Sequence, residues 1–294
     1  MDWKTRTIVV TGATSGIGRA TALGLAKLDS RLILVGRDAG RAQETAAEIR
    51  DVTGRQDVEI VRGDFAQLAD VRRVAEEILT RTDAIHVLVN NAGVTLMKRS
   101  TTPDGYETTF AVNHLAYFLL TGLLLPHLFA AAPGARIVNV ASDAHRWGPL
   151  DLADLQNERE YKAMRVYGQS KTANILHTRE LARRLAGSGV TVNALHPGAV
   201  ATRLGRGNGA ALDLVQRAIG LFMKSPEQGA ATSIHLASDA ALEGVSGRYF
   251  ANKKEKQPAA HATDDATAKR LWEISESLTG FCYPDPPGGS PERC

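Results

Sequence analysis

The chain has little cysteine, since its 294 residues include only Cys282 and Cys294, both near the C-terminal end. Two thiols so placed cannot cross-link a core, so we expect a reducing, intracellular setting and a cytoplasmic protein. Uninterrupted apolar runs of about 18 residues, which a membrane span needs, are also missing. The longest apolar stretch, 115–132, contains Pro126 and His127 and predicts a buried helix. The start of the chain lacks a signal-like apolar stretch, so we expect a soluble protein with no integral membrane segment.

An excess of one charge and metal-binding clusters are absent too. Lysine and arginine number 35 against 32 acidic residues, a net charge of +3. The nearest approach to a basic run, 253–256, is interrupted by Glu255, so we predict no nucleic-acid partner. The eight histidines show no metal-ligand spacing, so we predict no metal site. Among them, only His145 is expected to lie at the mouth of a pocket.

Short β-branched runs alternate with helix-like segments along most of the chain. Their nearly continuous apolar character is typical of strands buried on both faces in a parallel sheet covered by helices. Seven such runs occur, at 7–11, 32–35, 58–61, 85–89, 136–140, 190–194 and 247–250. The alternation predicts an α/β fold with a doubly wound, parallel, seven-stranded sheet of Rossmann type.

No linker-like break separates these strands, so we predict a single domain over residues 1–280. Its last helix is expected over 264–278, with Thr263 as N-cap and Gly280 as the stop signal. Residues 281–294 are rich in proline and glycine, which predicts a mobile tail.

A glycine-rich turn follows the first predicted strand and precedes a helix. Glycines let the backbone turn sharply and approach a pyrophosphate, which then faces free N–H groups at the helix N-terminus. Such turns are common in isolation, but this placement predicts a dinucleotide site. The predicted contacts in the turn are Gly12, Thr14, Ser15, Gly16, Ile17 and Gly18.

The end of the second strand indicates which dinucleotide binds. A cofactor with a free ribose 2′-hydroxyl usually meets an acidic residue there, but this chain has Gly36 followed by Arg37. Because a guanidinium pairs well with a phosphate, we predict NADP(H). The alternative is a surface arginine paired with Asp38.

Two further strands end in loops suited to the same cofactor. Asp64, next to Phe65, is placed to accept a hydrogen bond from the adenine amino group, although helix N-capping explains it equally well. After the fourth strand, Asn91 and Gly93 would let a cofactor ribose lie against the backbone. In isolation, that sequence is only a good turn.

Three later segments carry side chains suited to proton transfer. Tyr167 and Lys171 are four residues apart, so on a helix they share one face. A phenol with a pKa of about 10 is a poor base near neutrality, and a neighbouring ammonium lowers that pKa. Ser142 follows the fifth strand, where its hydroxyl could bind a substrate carbonyl. Asn113 lies between the fourth and the fifth predicted strands.

Taken together, these motifs resemble the short-chain dehydrogenase/reductases over about residues 5–250. The resemblance implies a catalytic tetrad in which Tyr167 donates or accepts the proton and Ser142 orients the substrate oxygen. It also implies that Lys171 binds the nicotinamide ribose and lowers the tyrosine pKa, and that Asn113 holds a relay water.

The loop after the sixth strand, with Val200 and Thr202, is similar to the segment that contacts the nicotinamide in this family. The chain is most similar to the branch of retinol dehydrogenases and their bacterial and plant relatives. The segments that carry this similarity are 35–38, 141–145, 167–174 and 178–185, together with a separation between Ser142 and Tyr167 that is about double the family's usual spacing.

We therefore predict an NADP(H)-dependent oxidoreductase that transfers a hydride between the nicotinamide and a carbonyl or alcohol. The substrate is expected to be an apolar small molecule, such as a retinoid, a steroid, a xenobiotic or a secondary metabolite. The insertion at 143–166 and the apolar stretch at 202–224 are expected to select it, the latter as a lid or as a plain amphipathic helix.

Two questions stay open at this stage. A catalytically silent, NADP(H)-sensing regulator on the same fold is the alternative function, although such a protein would be expected to lack the tyrosine or the lysine. A homodimer through the helix that carries this pair is typical of the family, and the insertion before Tyr167 could obstruct that face.

Overall fold

The computed structural model describes residues 2–200 and 224–286 and confirms the α/β class. In that part of the chain one sheet runs in the order β3-β2-β1-β4-β5-β6-β7-β8. The strands are β1 Thr7–Thr11, β2 Arg31–Gly36, β3 Val58–Arg62, β4 Val87–Asn90, β5 Ala135–Val140, β6 Val190–His196, β7 Tyr249–Ala251 and β8 Lys254–Glu255. Every predicted run forms a strand, and β1 to β7 pair in parallel.

The prediction of seven strands misses β8, which pairs with β7 antiparallel. Asn252 and Lys253 form the two-residue connection, and both have positive φ angles, 52° and 62°. This is the backbone that a tight hairpin requires, and it is usually supplied by glycine. The residues of β8 are exposed and charged, so they gave no hydrophobic signal.

Helices cover both faces of the sheet, as a doubly wound fold requires. They are α1 Gly16–Ala26, α2 Ala39–Thr53, α3 Leu68–Leu79, α4 Ala116–Ala130, α5 Ala163–Arg184, α6 Pro226–Ser238 and α7 Asp265–Thr279. Along β1, Ile8 and Val10 face the core shared with α1, α2 and α6. Val9 faces the opposite core, shared with α3, α4 and α5. The alternation of side chains along the strand thus builds two separate apolar layers.

The strand order reverses between β1 and β4, so the chain leaves these neighbouring strands in opposite directions. A crevice opens at the carboxyl ends of the strands at such a switch point, and ligands bind there in open α/β sheets. The glycine turn after β1, the loop after β4 and Ser142 after β5 all lie along this edge.

The helix before β5 begins irregularly. A helical turn at Thr108–Phe110 leads into a π-helical turn at Ala111–Leu115 and then into α4. The buried Glu107 carboxylate begins this helix by accepting hydrogen bonds from the N–H groups of Thr109 (2.8 Å) and Phe110 (2.7 Å). π-Helical turns are frequent at functional sites, and this one carries Asn113.

By length and composition, Thr108–Ala130 could cross a membrane, but 89% of its apolar window is buried within the protein. This agrees with the prediction of a buried helix over 115–132. A helix that is apolar on all sides belongs in the interior of a fold as readily as in a membrane.

The C-terminal helix α7 packs against α5. Its N-cap is Asp264, whose carboxylate accepts from Thr267 N–H at 2.7 Å, so the prediction of Thr263 was wrong by one residue. Gly280 ends the helix as predicted, with a φ of 58°.

The first residues of the predicted tail pack on the domain rather than standing apart from it. The Tyr283 ring lies 4.4 Å from Trp272 and 4.8 Å from Phe118, centroid to centroid, and its hydroxyl donates to the Phe118 carbonyl oxygen at 2.5 Å. Aromatic burial therefore continues to at least this residue. Residues 287–294 of the predicted tail lie outside the described part of the chain.

Candidate active site

The turn after β1 is tightly packed. Gly12 and Gly16 have positive φ angles of 64° and 51°, which other residues rarely adopt. A Cβ at Gly18 would overlap the Gly12 carbonyl oxygen and the Asn91 amide nitrogen. The backbone conformation and the close packing thus require glycine at these positions. The absence of side chains there leaves the backbone of the turn accessible from the cleft.

Helix α1 begins at this turn with its N-terminal N–H groups uncapped by a side chain. Its N-cap, Ser15, makes no side-chain capping hydrogen bond, and the first turn contains no acidic residue. Free N–H groups at the positive end of a helix dipole form an anion site. The pyrophosphate of a dinucleotide fits this end of the helix.

A cleft of about 790 Å³ runs along the carboxyl ends of the strands. Its lining includes the predicted cofactor residues Gly12, Thr14, Ser15, Gly16, Ile17, Gly18, Arg37, Asp64, Phe65, Asn91, Gly93, Tyr167 and Lys171. Val200 lies beside Ile17, because a Cβ at Gly229 would contact both side chains. The cleft therefore joins the anion site to the Tyr-Lys pair, as an extended dinucleotide would require.

The predicted cofactor contact Thr202 falls outside the described residues. Of the stretch 202–224, expected to be either a lid or a plain amphipathic helix, only Lys224 is described, and it forms an isolated β-bridge with Val200.

Asn91 holds the glycine turn in place. Its side-chain amide donates to the carbonyl oxygens of Thr11 (2.9 Å) and Gly12 (3.3 Å). Its backbone N–H donates to the Thr11 hydroxyl at 2.9 Å. The loop after β4 thus stabilises the loop after β1. The Asn91 side chain makes its hydrogen bonds to the backbone of the glycine turn.

Asp64 lies in the cleft wall and does not cap a helix. Its carboxylate accepts from Ala66 N–H at 3.1 Å, whereas the N-cap of α3 is Gln67. The N-capping alternative was therefore wrong.

The far end of the cleft is lined by two arginines and two aspartates, Arg37, Arg41, Asp38 and Asp64. Arg37 is exposed, and no acidic side chain pairs with its guanidinium within the described ranges. Asp38 instead caps α2 and pairs with Arg41 at 2.8 Å. The hydrogen bonds from Arg41 lower the pKa of Asp38. The alternative pairing of Arg37 with Asp38 was thus wrong, and the Arg37 guanidinium is available for a ligand.

At the opposite end, Asn113 connects the β4 loop with α5. Its amide oxygen accepts from Val94 N–H at 2.8 Å. Its amide nitrogen donates to the Val94 carbonyl at 3.0 Å and to the Ser170 hydroxyl at 2.9 Å. Ser170 in turn donates to the Tyr167 carbonyl at 2.7 Å. Our reading of the sequence missed Ser170, although its position directly before Lys171 was a usable signal.

Tyr167, Ser142 and Lys171 meet at this end of the cleft. Ser142 lies close enough to Tyr167 to act on the tyrosine pKa, which it lowers, and its hydroxyl accepts from Ala144 N–H at 3.2 Å. The Lys171 Nζ donates to the Val140 carbonyl at 3.0 Å and lies 5.5 Å from the centroid of the Tyr167 ring. A Cβ at Gly93 would be 3.3 Å from the Asn113 amide oxygen and 3.6 Å from the Lys171 Nζ. The structure thus brings all four predicted tetrad residues together.

The protonation of this group differs from the sequence prediction. Burial raises the pKa of Tyr167 to about 12, and the hydrogen bond from Ser142 opposes the shift only in part. Burial also lowers the pKa of Lys171 to about 7. We expected the ammonium to lower the tyrosine pKa, but desolvation of the phenolate prevails in this state. Tyr167 therefore carries its proton at neutral pH and can act as a proton donor.

His145 has a structural role. It is buried, its Nδ1 lies 2.7 Å from the Ser142 carbonyl oxygen, and its Nε2 accepts from Ala259 N–H at 3.0 Å. The expected place at a pocket mouth was wrong. The ring instead ties the segment after β5 to the segment before α7.

The described ranges contain no group of three or more His, Cys, Asp or Glu side chains placed to hold a metal ion.

A parallel sheet with an open glycine turn at one end of a cleft and a Ser-Tyr-Lys group at the other defines a dinucleotide-dependent oxidoreductase. Comparison with known proteins agrees, since the model of the short chain dehydrogenase family matches residues 6–212. The chain belongs to this family, on its retinol-dehydrogenase-like branch.

Human retinol dehydrogenase 14 is 44% identical over 293 residues, covering 94% of this chain and 87% of that protein. A crystal structure of a protein from Mycobacterium paratuberculosis is 32% identical, covers 95% of each chain and has a TM-score of 0.75. The RhlG/NADP active-site complex of Pseudomonas aeruginosa is 28% identical, covers 85% of this chain and 96% of that one, and has a TM-score of 0.66.

Proposed function

We propose that this protein is an NADP(H)-dependent oxidoreductase that transfers a hydride between the nicotinamide and the carbonyl or alcohol group of an apolar small molecule, and that with NADPH it works as a carbonyl reductase. The observation that carries the proposal is the Tyr167 phenol, which lines the inner end of a cleft of about 790 Å³ with the Lys171 Nζ 5.5 Å from its ring centroid.

The four residues suit this reaction in distinct ways. A bound nicotinamide would supply the hydride. Tyr167 donates its proton to the substrate oxygen as negative charge develops there, and the Ser142 hydroxyl holds that oxygen in place. Lys171 stabilises the phenolate that Tyr167 leaves behind. Asn113 fixes the β4 loop against α5, the helix that carries both the amine and the phenol.

The preference for NADP(H) is supported by the Arg37 guanidinium at the far end of the cleft. Arg37 and Arg41 both line it, and the Arg37 side chain has no acidic partner in the described ranges. A guanidinium fork matches a phosphate bidentately, so a 2′-phosphate is the natural ligand at this position. The similar RhlG structure is described as an NADP complex.

We expect Arg37→Asp to lower kcat/KM for NADPH about 10- to 100-fold while NADH is affected little, because one charge-assisted contact to phosphate is lost and a repulsive charge is gained. Steady-state kinetics with both cofactors provide the measurement. Arg62→Asp is the matched control, since Arg62 lies close by, donating to the Arg37 carbonyl at 3.3 Å, but is not part of the cleft lining. Unchanged discrimination between the cofactors in Arg37→Asp would exclude this assignment.

An apolar substrate is supported by relatives named retinol dehydrogenases and by the cleft wall, where Val94, Leu96 and Val112 lie near the Tyr-Lys end. The test is a panel of carbonyls with NADPH: a retinoid aldehyde, a steroid ketone, an aromatic xenobiotic ketone and small anionic keto acids. Turnover confined to the keto acids would contradict the proposal. Tight cofactor binding without turnover of any carbonyl would favour the silent regulator.

A further inference from the structure

Lys171 is an amine buried without a counter-ion. Its side chain is almost fully inaccessible, and no carboxylate forms an ion pair with it in residues 2–200 or 224–286. A buried ammonium without an acidic partner is costly and tends to lose its proton. Any group that favours the charged form must therefore be something other than a carboxylate.

The groups that face Lys171 come from five elements. Tyr167 lies on its own helix, Val140 ends β5, and the Asn113 side chain and Gly93 lie on the π-helical turn and the β4 loop. The fifth is Tyr117 on α4, whose ring centroid lies 5.8 Å from the Lys171 Nζ. Two aromatic rings therefore approach the amine, and only one of them belongs to the proton donor.

Tyr117 is fully buried, and its hydroxyl has no hydrogen-bond partner in the described part of the chain. Burying a phenol oxygen unpaired is unfavourable, so the hydroxyl does not explain why this side chain is useful here. The ring does offer something to Lys171. An aromatic face within about 6 Å attracts a cation, and more strongly when water is excluded.

We propose that Tyr117 is a positioning residue that holds the Lys171 ammonium through the face of its ring, while the Val140 carbonyl oxygen accepts a hydrogen bond from the same amine. It acts through Lys171 and does not touch the substrate. The inference rests on the role proposed for Lys171, but its main test requires neither cofactor nor turnover.

The test follows the pH titration of the Lys171 side chain by NMR in protein labelled with ¹³C-lysine, with the resonance assigned by its loss in Lys171→Met. In Tyr117→Leu we expect the titration midpoint to fall by about half to one pH unit, as the loss of one buried cation–π contact implies. Tyr117→Phe keeps the ring and should titrate like the wild type. The pH profile of kcat should move in the same direction as the Lys171 midpoint.

Phe118→Leu is the matched control, because it removes a buried ring from the same helix that faces Trp272 and Tyr283. It should lower the melting temperature and leave the Lys171 midpoint unchanged. If Tyr117→Leu fails to fold, pentafluorophenylalanine at position 117 preserves the size of the ring and reverses the charge of its face, so the midpoint should again fall. The proposal would be overturned if Lys171 titrated with the wild-type midpoint in folded Tyr117→Leu or in the folded pentafluorophenylalanine variant. This outcome would count against Tyr117 even if the protein proved to be an active reductase.

Discussion

Tyr167→Phe is expected to lower kcat for carbonyl reduction by about 10²- to 10⁴-fold, the usual contribution of a positioned general acid. The variant keeps the aromatic ring beside the Lys171 amine, so the packing of α5 is preserved and NADPH should bind as in the wild type. Only the phenol hydroxyl, the proposed proton donor, is removed. Stopped-flow turnover together with fluorescence titration of NADPH measures both effects.

Tyr161→Phe provides the matched control for this experiment. Tyr161 also carries a half-buried phenol whose pKa is raised by burial, and its hydroxyl donates to the Leu96 carbonyl at 2.9 Å. Leu96 lines the same cleft, but Tyr161 itself does not. Loss of the Tyr161 hydroxyl should change KM more than kcat. If Tyr167→Phe retained the wild-type rate in a preparation that binds NADPH, Tyr167 could not be the proton donor.

Much of the fold could be predicted because strands buried on both faces leave a continuous apolar signature. Val9 and its neighbours in β1 are apolar on successive positions, since both faces of that strand are covered. The exposed β8 has no such signature, and its turn uses Asn252 and Lys253 in place of glycine. Edge strands that are short and charged are selected for solubility, so hydrophobic patterning cannot find them.

The sequence was enough to predict which residues form the candidate site, but it was not enough to predict their pKa values. The four-residue spacing of Tyr167 and Lys171 correctly placed them on one helix face. It did not reveal that both side chains are desolvated, and burial shifts the two pKa values in opposite directions. Burial depends on elements distant in sequence, such as the β4 loop and α4, which no local pattern contains.

The same limit explains why Ser170 and Tyr117 were missed. Ser170 matters because it joins Asn113 to the backbone of α5, a contact across 57 positions of the chain. Tyr117 matters because α4 places its ring 5.8 Å from the Lys171 amine, 54 positions further along the chain. Each role follows from tertiary packing, so only the structure could show it.

Lys171→Met is expected to lower kcat/KM by at least about 10²-fold, because it removes the charge that stabilises the developing phenolate of Tyr167. The same change should stabilise the cofactor-free protein, since it replaces a buried amine with an apolar side chain of similar length. Activity and stability should therefore move in opposite directions. Kinetics and thermal unfolding of the cofactor-free protein measure the two effects.

The lowered pKa of Lys171 predicts how the stability gain of Lys171→Met changes with pH. The pKa of Lys171 is lowered to about 7 from its ordinary 10.5, so between these values the unfolded chain holds a proton that the folded chain has lost. Wild-type stability consequently rises with pH across this window, and the advantage of Lys171→Met should be largest at pH 7 and below and shrink towards pH 10.5. Lys162→Met, at an exposed lysine paired with Glu160, should change neither activity nor stability. The contradicting result is a Lys171→Met variant that is inactive and also less stable than the wild type at pH 7. The loss of activity would then reflect lost packing. It would show that the buried amine does not lower the stability of the cofactor-free protein.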